Sequence, residues 1–366
     1  MARKLKSDKV LFIATVLLVF FGVLMVYSAS AVLAMERYGD HYLFLKKQVM
    51  WAALGLASLS IVMRVDYRTY RQPAFIWTSL GFVGLALCLV LFSPPVNNAR
   101  RWFSIGGLGI QPSELAKLTA IFFVAWWLER RIDRVNDFKQ ALLPIALVML
   151  PILVLILLEP DFGTSMTVAI IVTAMVFAAG LNYSYMAGAA LLAAPAVAFL
   201  IISSPYRFRR LLTFMDPWAD PLGDGFQVIQ SLIAVGAGGA FGRGLMQGVQ
   251  KLFYLPEPHT DFIFSVIAEE LGLLGAILTL ACFCVIAWRG LRIAMAAPDQ
   301  FGALVAVGLT AMVVVQAFFN VSVVLSMLPT KGIPLPLVSS GGSSLLITLL
   351  GLGVLLNVSQ HATTEA

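Results

Sequence analysis

The chain has 366 residues, of which 60% are apolar and only 12% are charged. Soluble globular domains have about 45–50% apolar and about 25% charged residues, so this chain carries too few charges to cover a water-soluble surface. Its net charge of +6 does not indicate nucleic-acid binding, because the basic residues form short clusters beside apolar runs, as in loops of membrane proteins. The three cysteines lie inside apolar runs and show neither metal-ligand spacing nor a disulfide framework.

Ten apolar runs predict transmembrane helices, each of which needs about 20 residues to cross the bilayer. The first run, Val10–Ala34, follows a basic stretch and is longer than the apolar part of a signal peptide, about 7–15 residues. It therefore predicts an uncleaved first helix with a cytoplasmic N-terminus. The other nine runs are Gln48–Met63, Pro73–Phe92, Ser113–Leu128, Ala141–Leu158, Thr164–Leu181, Met186–Ile202, Phe262–Trp288, Phe301–Leu328 and Ser343–Leu356.

An even number of spans predicts that both termini lie in the cytoplasm, and the distribution of Lys and Arg between the loops moderately favours this orientation. The predicted fold class is all-α. It comprises a single polytopic membrane domain over residues 1–366, with a long extracytoplasmic loop, residues 203–261, between helices 7 and 8. The glycine-rich part of that loop is too broken for a good span, so it predicts a re-entrant or interfacial segment.

Two polar segments come before the fourth predicted span. The first, NNARRWF (97–103), contains adjacent arginines, which either anchor the chain at the interface or bind phosphate oxygens bidentately. The second, QPSELAK (111–117), places Glu114 and Lys117 three residues apart, on one helix face just inside the membrane. Charged residues at that depth usually face a cavity or a partner. The pair is therefore either a structural ion pair or part of a functional site.

The junction between the fifth and sixth predicted spans carries two carboxylates. In the segment EPDFGT (159–164), Glu159 and Asp161 flank a proline. The simplest interpretation is that Asp161 or Thr164 caps the following helix. The alternative is that the carboxylates belong to a polar site.

The segment LPEPHTDF (255–262), at the end of the long loop, concentrates polar side chains. Glu257, His259 and Asp261 lie within five residues, and Asp261 stands where the chain re-enters the bilayer. Partial burial raises the pKa of a carboxylate, which suits a general base. The alternative is that Thr260 or Asp261 only caps the next helix.

The last polar segments are PTKGIPLP (329–336), which contains Lys331, and SSGGSS (339–344). Gly341 and Gly342 leave backbone N–H groups near a helix N-terminus, an arrangement that attracts anions. Cations for a diphosphate beside a carboxylate for a hydroxyl are the components of a glycosyl-transfer site on a lipid-linked substrate. These residues by themselves leave a transporter and a lipid-diphosphate hydrolase open as alternatives.

Through these motifs the chain resembles the SEDS family, the FtsW/RodA/SpoVE group of peptidoglycan polymerases. The resemblance covers nearly the whole chain. The resemblance rests on residues 25–30 (MVYSAS), 111–117, 255–257, 259–264, 331–336 and 341–344. Pro258 stands where the family commonly has alanine, and Ser340 where it commonly has tyrosine. Neither difference removes a charged group.

Four segments look more like FtsW, of the division branch, than like RodA. They are YSAS (27–30), ARRW (99–102), QKLFY (250–254) and KG (331–332). The division branch is therefore the prediction. A SpoVE-type role in sporulation and a RodA-type role in elongation stay open as alternatives.

The resemblance implies a glycosyltransferase that polymerises lipid II into β-1,4 glycan strands for septal cell-wall synthesis in cell division. The reaction is expected at the outer face of the membrane, with Asp261 as the catalytic carboxylate. The residues implied to bind substrate around the cavity are Arg101, Trp102, Lys117, Glu257, His259, Lys331, Ser339 and Ser340.

The resemblance also implies partners and a location. The substrates are lipid II and an undecaprenyl-diphosphate-linked glycan. The protein partners are a class B penicillin-binding protein, which is a transpeptidase, and other divisome membrane proteins, with no nucleic acid. The expected location is the cytoplasmic (inner) membrane at the division septum, with multiple spans. No cofactor is assigned; a divalent cation, Mg²⁺ or Mn²⁺, beside the diphosphate is an open hypothesis.

Two rival functions make different predictions. A lipid II flippase requires a polar cavity that reaches both leaflets, whereas most of the motif residues lie on one side and only a few, such as Lys117, lie deeper. A scaffold that merely recruits a transpeptidase predicts that Asp261 and Lys331 can be replaced without loss of function.

Overall fold

The computed structural model describes residues 7–95, 99–105 and 108–362, so Asn97 and Asn98 of the first polar segment lie outside the described residues. The elements, in chain order, are α1 (Lys9–Tyr38), α2 (Leu43–Val62), α3 (Pro73–Val90), β1 (Phe103–Ile105), β2 (Leu108–Ile110), α4 (Pro112–Glu129), α5 (Leu143–Leu158), α6 (Phe162–Ala178), α7 (Tyr183–Ile202), α8 (Pro205–Met215), α9 (Phe226–Gly238), α10 (Ile263–Met295), α11 (Gln300–Val324) and α12 (Gly342–Ser359). The two strands pair antiparallel just before α4. Each of the ten predicted spans coincides with a helix, which confirms the predicted all-α polytopic fold.

Within the described ranges, seven helices are long and apolar enough to cross a membrane: α1, α3, α5 with the turn before it, α7, α10, α11 and α12. The other three predicted spans are α2, α4 and α6. Helix α2 begins with two lysines, α4 carries Glu114 and Lys117, and α6 is 17 residues long. Glu114 and Lys117 are both buried, so the charges of α4 face the bundle interior rather than lipid.

Helices α4, α11 and α12 form the centre of the bundle. Helix α11 contacts α4, α6, α10 and α12, and α2 packs along α12. Helix α7 has no buried residue and packs mainly against α8. Because lipid tails are as apolar as leucine side chains, a helix that is apolar on all sides is stable at the periphery, and the polar residues collect in the centre.

The long loop between α7 and α10 contains more regular structure than its broken apolar pattern predicts. Residues 203–261 include α8, a 3₁₀ turn at Pro217–Ala219 and α9. Helix α9 packs against α10. A Cβ at Gly238, the last residue of α9, would overlap the carbonyl oxygen of Ala268. The glycines of this stretch therefore allow two backbones to approach closely, instead of only interrupting a helix.

Helix α10 is interrupted at Gly272, which has φ 66° and ψ −162°. Such a break frees carbonyl groups that the continuous helix would have used, and the membrane offers no water to satisfy them. The carbonyl oxygens of Glu269 and Glu270 accept hydrogen bonds from the N–H groups of Arg243 and Gly244, each at 3.0 Å.

The amide groups on the other side of the break are satisfied in the same way. Leu273 N–H donates to the carbonyl oxygen of Gly239 at 2.9 Å, and Leu274 N–H donates to that of Ala240 at 3.2 Å. The turn after α9, residues 239–244, thus exchanges four backbone hydrogen bonds with α10 and closes the break.

The side chains next to the break anchor the rest of the loop. Glu270 accepts hydrogen bonds from Lys251 Nζ at 2.5 Å and from Ser28 Oγ at 2.7 Å. Glu269 accepts from the Val249 N–H at 2.8 Å. Two segments of the family resemblance, YSAS in α1 and QKLFY in the loop, therefore meet in one buried polar cluster, and Lys251 is not available to a substrate.

Replacement of Gly272 by alanine is expected to destabilise the protein by about 1–3 kcal/mol, because its backbone conformation is nearly restricted to glycine. The new Cβ would also overlap the backbone of Ala240 and Gly242. Thermal unfolding of the purified protein in detergent measures the loss. The matched control is Gly81→Ala in α3, where the Cβ meets nothing within 4 Å; an equal loss in both variants would contradict this account.

Candidate active site

Asp261 lies in the loop immediately before α10. Three backbone carbonyl groups of that loop accept hydrogen bonds from α11 and from the segment before α12. The carbonyl oxygens of residues 259, 260 and 261 accept hydrogen bonds from Ser340 N–H (2.9 Å), Ser339 Oγ (2.6 Å) and Asn320 Nδ2 (2.8 Å), respectively. No side chain caps α10 at its N-terminus. The alternative that Asp261 only serves as a helix cap is therefore wrong, and its carboxylate is free for another role.

The loop that carries Lys331 lies directly against Asp261. A Cβ at Gly332 would stand 2.6 Å from Asp261 Oδ2. A Cβ at Gly163, at the start of α6, would stand 2.7 Å from Lys331 Cε. Because glycine has no Cβ, the Asp261 carboxylate packs closely against Gly332, and the Lys331 side chain packs closely against Gly163.

Asp161 connects Arg101 with Lys331. Its side chain caps α6 by accepting from Thr164 N–H at 3.2 Å, as one reading of the sequence predicted. The same carboxylate lies 3.9 Å from Arg101 Nη1 and 3.8 Å from Lys331 Nζ, and accepts from Gln111 Nε2 at 2.9 Å. Asp161 therefore both caps α6 and lies between the two cations, Arg101 and Lys331.

Arg101 is fixed by the backbone that joins α5 to α6. Its Nε donates to the carbonyl oxygen of Glu159 at 2.9 Å, and its Nη2 donates to that of Pro160 at 2.6 Å. These bonds occupy two of its five N–H donors, which leaves the others to face an anion.

Two further cations come from α8, and the sequence interpretation did not place them in the site. Arg210 Nη1 donates to the carbonyl oxygen of Thr330, next to Lys331, at 2.7 Å. The Arg207 guanidinium lies 5.7 Å from the ring centroid of Phe162, which Lys331 Nζ approaches at 5.8 Å. The available signal was the basic run at 207–210, where the long loop begins.

Burial shifts the pKa values of Asp261 and Lys331 toward neutrality, and the surrounding charges modify both shifts. Burial, and then Glu257, raise the pKa of Asp261 to about 6, although Arg210, Arg101 and Lys331 oppose the rise. Burial lowers the pKa of Lys331 to about 8, Asp161 opposes that effect, and the three nearby arginines reinforce it. At neutral pH the carboxylate is therefore mostly ionised and the lysine mostly protonated.

Lys117 lies in a buried network behind the Lys331 loop. Its Nζ is 2.8 Å from Glu114 Oε2, which confirms the pairing expected from their spacing, and it donates to Gln316 Oε1 at 2.8 Å. Gln316 Nε2 in turn donates to the carbonyl oxygen of Pro334 at 3.1 Å. Lys117 thus supports residues 331–336, and no described contact joins it to Asp261.

The remaining predicted residues, His259, Glu257 and Trp102, have different surroundings. His259 is buried and packs on Phe44, with 4.4 Å between ring centroids. Glu257 is exposed and acts on Asp261 through its charge. Trp102 packs over Gly109 in the hairpin, and no described contact joins it to Asp261.

The serine and glycine residues before α12 have structural partners. Ser339 Oγ, which donates to the loop before α10, also accepts from Leu335 N–H at 2.8 Å. Gly342 lies so close to the Trp51 indole that a side chain there would overlap it. Close packing therefore explains Gly342, and the proposed anion site at this glycine pair stays a prediction.

No group of three or more His, Cys, Asp or Glu side chains is arranged to hold a metal ion within the described part of the chain. The hypothesis of a divalent cation therefore finds no ready set of protein ligands here.

Comparison with known proteins identifies the family. The sequence model that describes FtsW, RodA and SpoVE as cell cycle proteins matches residues 8–364. The chain belongs to the FtsW/RodA/SpoVE family. It is 42% identical over 357 residues to the probable peptidoglycan glycosyltransferase FtsW of a Geobacter species, covering 96% of each chain. It is also 42% identical over 365 residues to stage V sporulation protein E of Bacillus subtilis, covering 98% of this chain and 99% of that one.

Solved structures of family members share the fold. A chain in a structure described as showing coordination of polymerization and crosslinking by a peptidoglycan synthase complex has a TM-score of 0.80 at 34% identity, covering 98% of this chain and 99% of that one. Rod shape determining protein RodA of Thermus thermophilus has a TM-score of 0.72 at 30% identity, covering 98% of each chain. The resemblance inferred from the sequence motifs is confirmed.

In this FtsW/RodA/SpoVE-family protein, Glu159 is a buried carboxyl group without a partner. Its side chain is fully buried, and neither oxygen has a hydrogen bond to any described residue. Burial, and then Asp161, raise the pKa of Glu159 to about 8, against the effect of Arg101. The group is therefore protonated at neutral pH and does not cancel the positive charge of the neighbouring cations.

We expect Glu159→Gln to raise thermal stability by an amount that grows as the pH rises from about 5 to about 8. In that range the unfolded chain releases the Glu159 proton while the folded protein keeps it, so wild-type stability falls with rising pH, by at most about 1.4 kcal/mol per pH unit. The glutamine variant lacks this dependence.

The measurement is Tm in detergent at pH 5, 6.5 and 8 for wild type and variant. Glu36→Gln, at an exposed carboxylate of α1, is the control and should show a constant difference from wild type. A constant difference for Glu159→Gln as well would contradict the raised pKa.

Proposed function

We propose that this protein is a peptidoglycan glycosyltransferase that polymerises lipid II, and that Asp261 is its general base. The observation that carries the proposal is the Asp261 carboxylate, with a pKa near 6, acted on by Arg101, Arg210 and Lys331 together. The relatives named peptidoglycan glycosyltransferase FtsW, matched along nearly the whole chain, support the same function. The multi-pass membrane fold gives a lipid-linked substrate access from the bilayer.

In the proposed reaction, the sugar 4-hydroxyl of lipid II attacks the anomeric carbon of a glycan strand that is linked to undecaprenyl diphosphate. Asp261 accepts the hydroxyl proton as the new C–O bond forms. The bond from the anomeric carbon to the diphosphate oxygen breaks, and the diphosphate leaves with its electron pair. A single displacement converts the α-linked donor to a β-1,4 linkage.

The cations of the site stabilise the charge that develops on the leaving diphosphate. Lys331 and Arg101 are held side by side by Asp161, and Arg210 is held beside them by Thr330. Such preorganised cations act most strongly where water is excluded. Because the described residues provide no cluster of metal ligands, we derive no step through Mg²⁺ or Mn²⁺.

The other predicted residues have supporting roles in this proposal. Lys117 positions the Lys331 loop through Gln316. Ser339 and Ser340 hold the backbone before Asp261. Glu257 raises the pKa of Asp261 through its negative charge. Trp102 and His259 are proposed to line the substrate cavity.

We further propose that the Asp261 site faces outward, with both termini in the cytoplasm, and that the protein acts at the division septum. A class B penicillin-binding protein is the proposed partner, supported by the similarity to a chain of a peptidoglycan synthase complex. The FtsW-like segments favour the division role. Other divisome proteins are further proposed partners.

Replacement of Asp261 by asparagine is expected to lower the polymerisation rate by about 10²–10⁴-fold, because the amide cannot accept the proton. The assay uses purified full-length protein and labelled lipid II, with and without a class B penicillin-binding protein. The control Glu36→Gln changes an exposed carboxylate in the same way and should leave the rate unchanged.

Full polymerase activity of Asp261→Asn would remove the general-base assignment. Absence of product from every sample, while the wild-type protein moves lipid II across vesicles, would favour the flippase. The scaffold alternative predicts equal stimulation of the transpeptidase by wild type and variant.

The pH profile of kcat/KM is expected to be bell-shaped. The rate should fall below about pH 6, as Asp261 becomes protonated, and above about pH 8, as Lys331 loses its charge. Lys331→Arg should move the alkaline limit above pH 10, because arginine stays charged, even where its overall rate is lower. An unchanged alkaline limit in Lys331→Arg would show that another group titrates there.

A further inference from the structure

The face of the bundle opposite Asp261 carries a cleft of about 510 Å³ at the C-terminal end of α4. Its lining comes from the last turn of α4 and the connection to α5, and contains two tryptophans, three arginines, one aspartate and one glutamine. The cleft lies at the far end of α4 from Glu114 and Lys117, and the proposed polymerisation makes no use of it. Its chemistry is therefore independent of the proposed function.

Two arginines of the cleft are stacked on the two tryptophans one helical turn before them. The Arg130 guanidinium lies 4.3 Å from the ring centroid of Trp126, and that of Arg131 lies 3.6 Å from Trp127. Cation–π stacking holds the flat guanidinium groups in place and leaves their N–H edges open. Arg130 has no side-chain hydrogen bond or ion pair to the described residues, and Arg131 has a single long one, 3.5 Å, to the Trp127 carbonyl.

The tryptophans themselves lack hydrogen-bond acceptors. Trp126 is 6% exposed, and neither its Nε1 nor that of Trp127 has a partner among the described residues. An indole N–H can only donate, and a buried donor without an acceptor is unfavourable. Both nitrogens are themselves buried, so the groups of the cleft that an outside molecule can reach are the arginine side chains.

The charge balance of the cleft favours an anion. Against three arginines it contains only Asp133, and Arg134 is held by Gln140 Oε1 at 2.8 Å. Burial, and then the neighbouring Arg130, lower the pKa of the Arg131 guanidinium. An anion bound between the two arginines would relieve their mutual repulsion.

The position of the cleft favours a lipid rather than a soluble anion. Helix α4 is one of the ten spans predicted from the sequence, so a cleft at its end is expected at the level of the phospholipid headgroups, where tryptophan side chains also concentrate. Trp77 of α3, half exposed, packs edge-on against Trp126, and Phe138, before α5, is also half exposed. These two side chains give an acyl chain apolar contacts beside the cationic cleft.

We propose that this cleft binds the phosphate group of an anionic phospholipid from the leaflet opposite the catalytic site. Arg130 and Arg131, stacked on Trp126 and Trp127, would bind the phosphate oxygens bidentately. A basic pocket at the cytoplasmic ends of membrane helices is the kind of site that recognises an anionic lipid headgroup.

The test titrates delipidated full-length protein in detergent with phosphatidylglycerol, phosphatidylcholine or inorganic phosphate, and counts bound molecules by native mass spectrometry. Wild type should bind phosphatidylglycerol at least about tenfold more tightly than the double variant Arg130→Gln/Arg131→Gln, since charge-assisted hydrogen bonds are lost. Arg64→Gln/Arg292→Gln removes two exposed arginines from the same face and should bind like wild type.

Arg130→Lys/Arg131→Lys provides a second variant that keeps both positive charges and removes the guanidinium fork. It should weaken phosphatidylglycerol binding about threefold or more with an unchanged Tm, because lysine cannot bind phosphate oxygens bidentately, and this separates lost binding from lost folding. Equal binding of phosphatidylglycerol by wild type and both cleft variants would overturn the proposal. Tight binding of inorganic phosphate that displaces the lipid would assign the cleft to a soluble anion and would also overturn it.

Discussion

The membrane interior contains no water to satisfy backbone N–H and C=O groups, and this constraint organises the fold. It forces the spans to be helical, and it requires that any break in a span be closed by protein. The break at Gly272 is closed by residues 239–244, which donate to two carbonyl groups of α10 and accept from two of its amides. The long loop between α7 and α10 is thereby attached to the bundle along its glycine-rich part.

The same constraint governs the loop that carries Asp261. Three successive carbonyl groups, at residues 259–261, are satisfied by Asn320, Ser339 and Ser340. These bonds hold the backbone without the Asp261 side chain, which does not cap α10. Its position is fixed by parts of α11 and of the segment before α12, so this carboxylate is supported by the centre of the bundle.

Burial shifts the pKa values of the two central groups, Asp261 and Lys331, in opposite directions, and both pKa values approach neutral pH. It raises the pKa of Asp261 to about 6 and lowers that of Lys331 to about 8, so the two groups are charged together only between these two pH values. The negative charge of Asp161, 3.8 Å from Lys331 Nζ, opposes the lowering of the Lys331 pKa. Glu159, protonated beside it, leaves the positive charge of this cluster undiminished.

The sequence by itself determined the ten helices, the charged pair in α4 and the chemistry-bearing segments. Long apolar runs have one stable structure in a bilayer, and residues three apart on a helix, such as Glu114 and Lys117, must share a face. The family resemblance rests on contiguous motifs, and it too could be read from the sequence. The roles assigned to the individual site residues stay predictions, although the geometry assembles most of them.

Only the tertiary structure decided which charges meet. Arg207 and Arg210, more than 50 residues before Asp261 in the chain, approach the site because α8 folds back over the Lys331 loop. The Lys251 side chain forms an ion pair with Glu270, and the Lys117 side chain donates a hydrogen bond to Gln316. Helical periodicity relates residues within about one turn of each other, whereas contacts between helices depend on how the whole bundle packs, and no local pattern in the sequence specifies that.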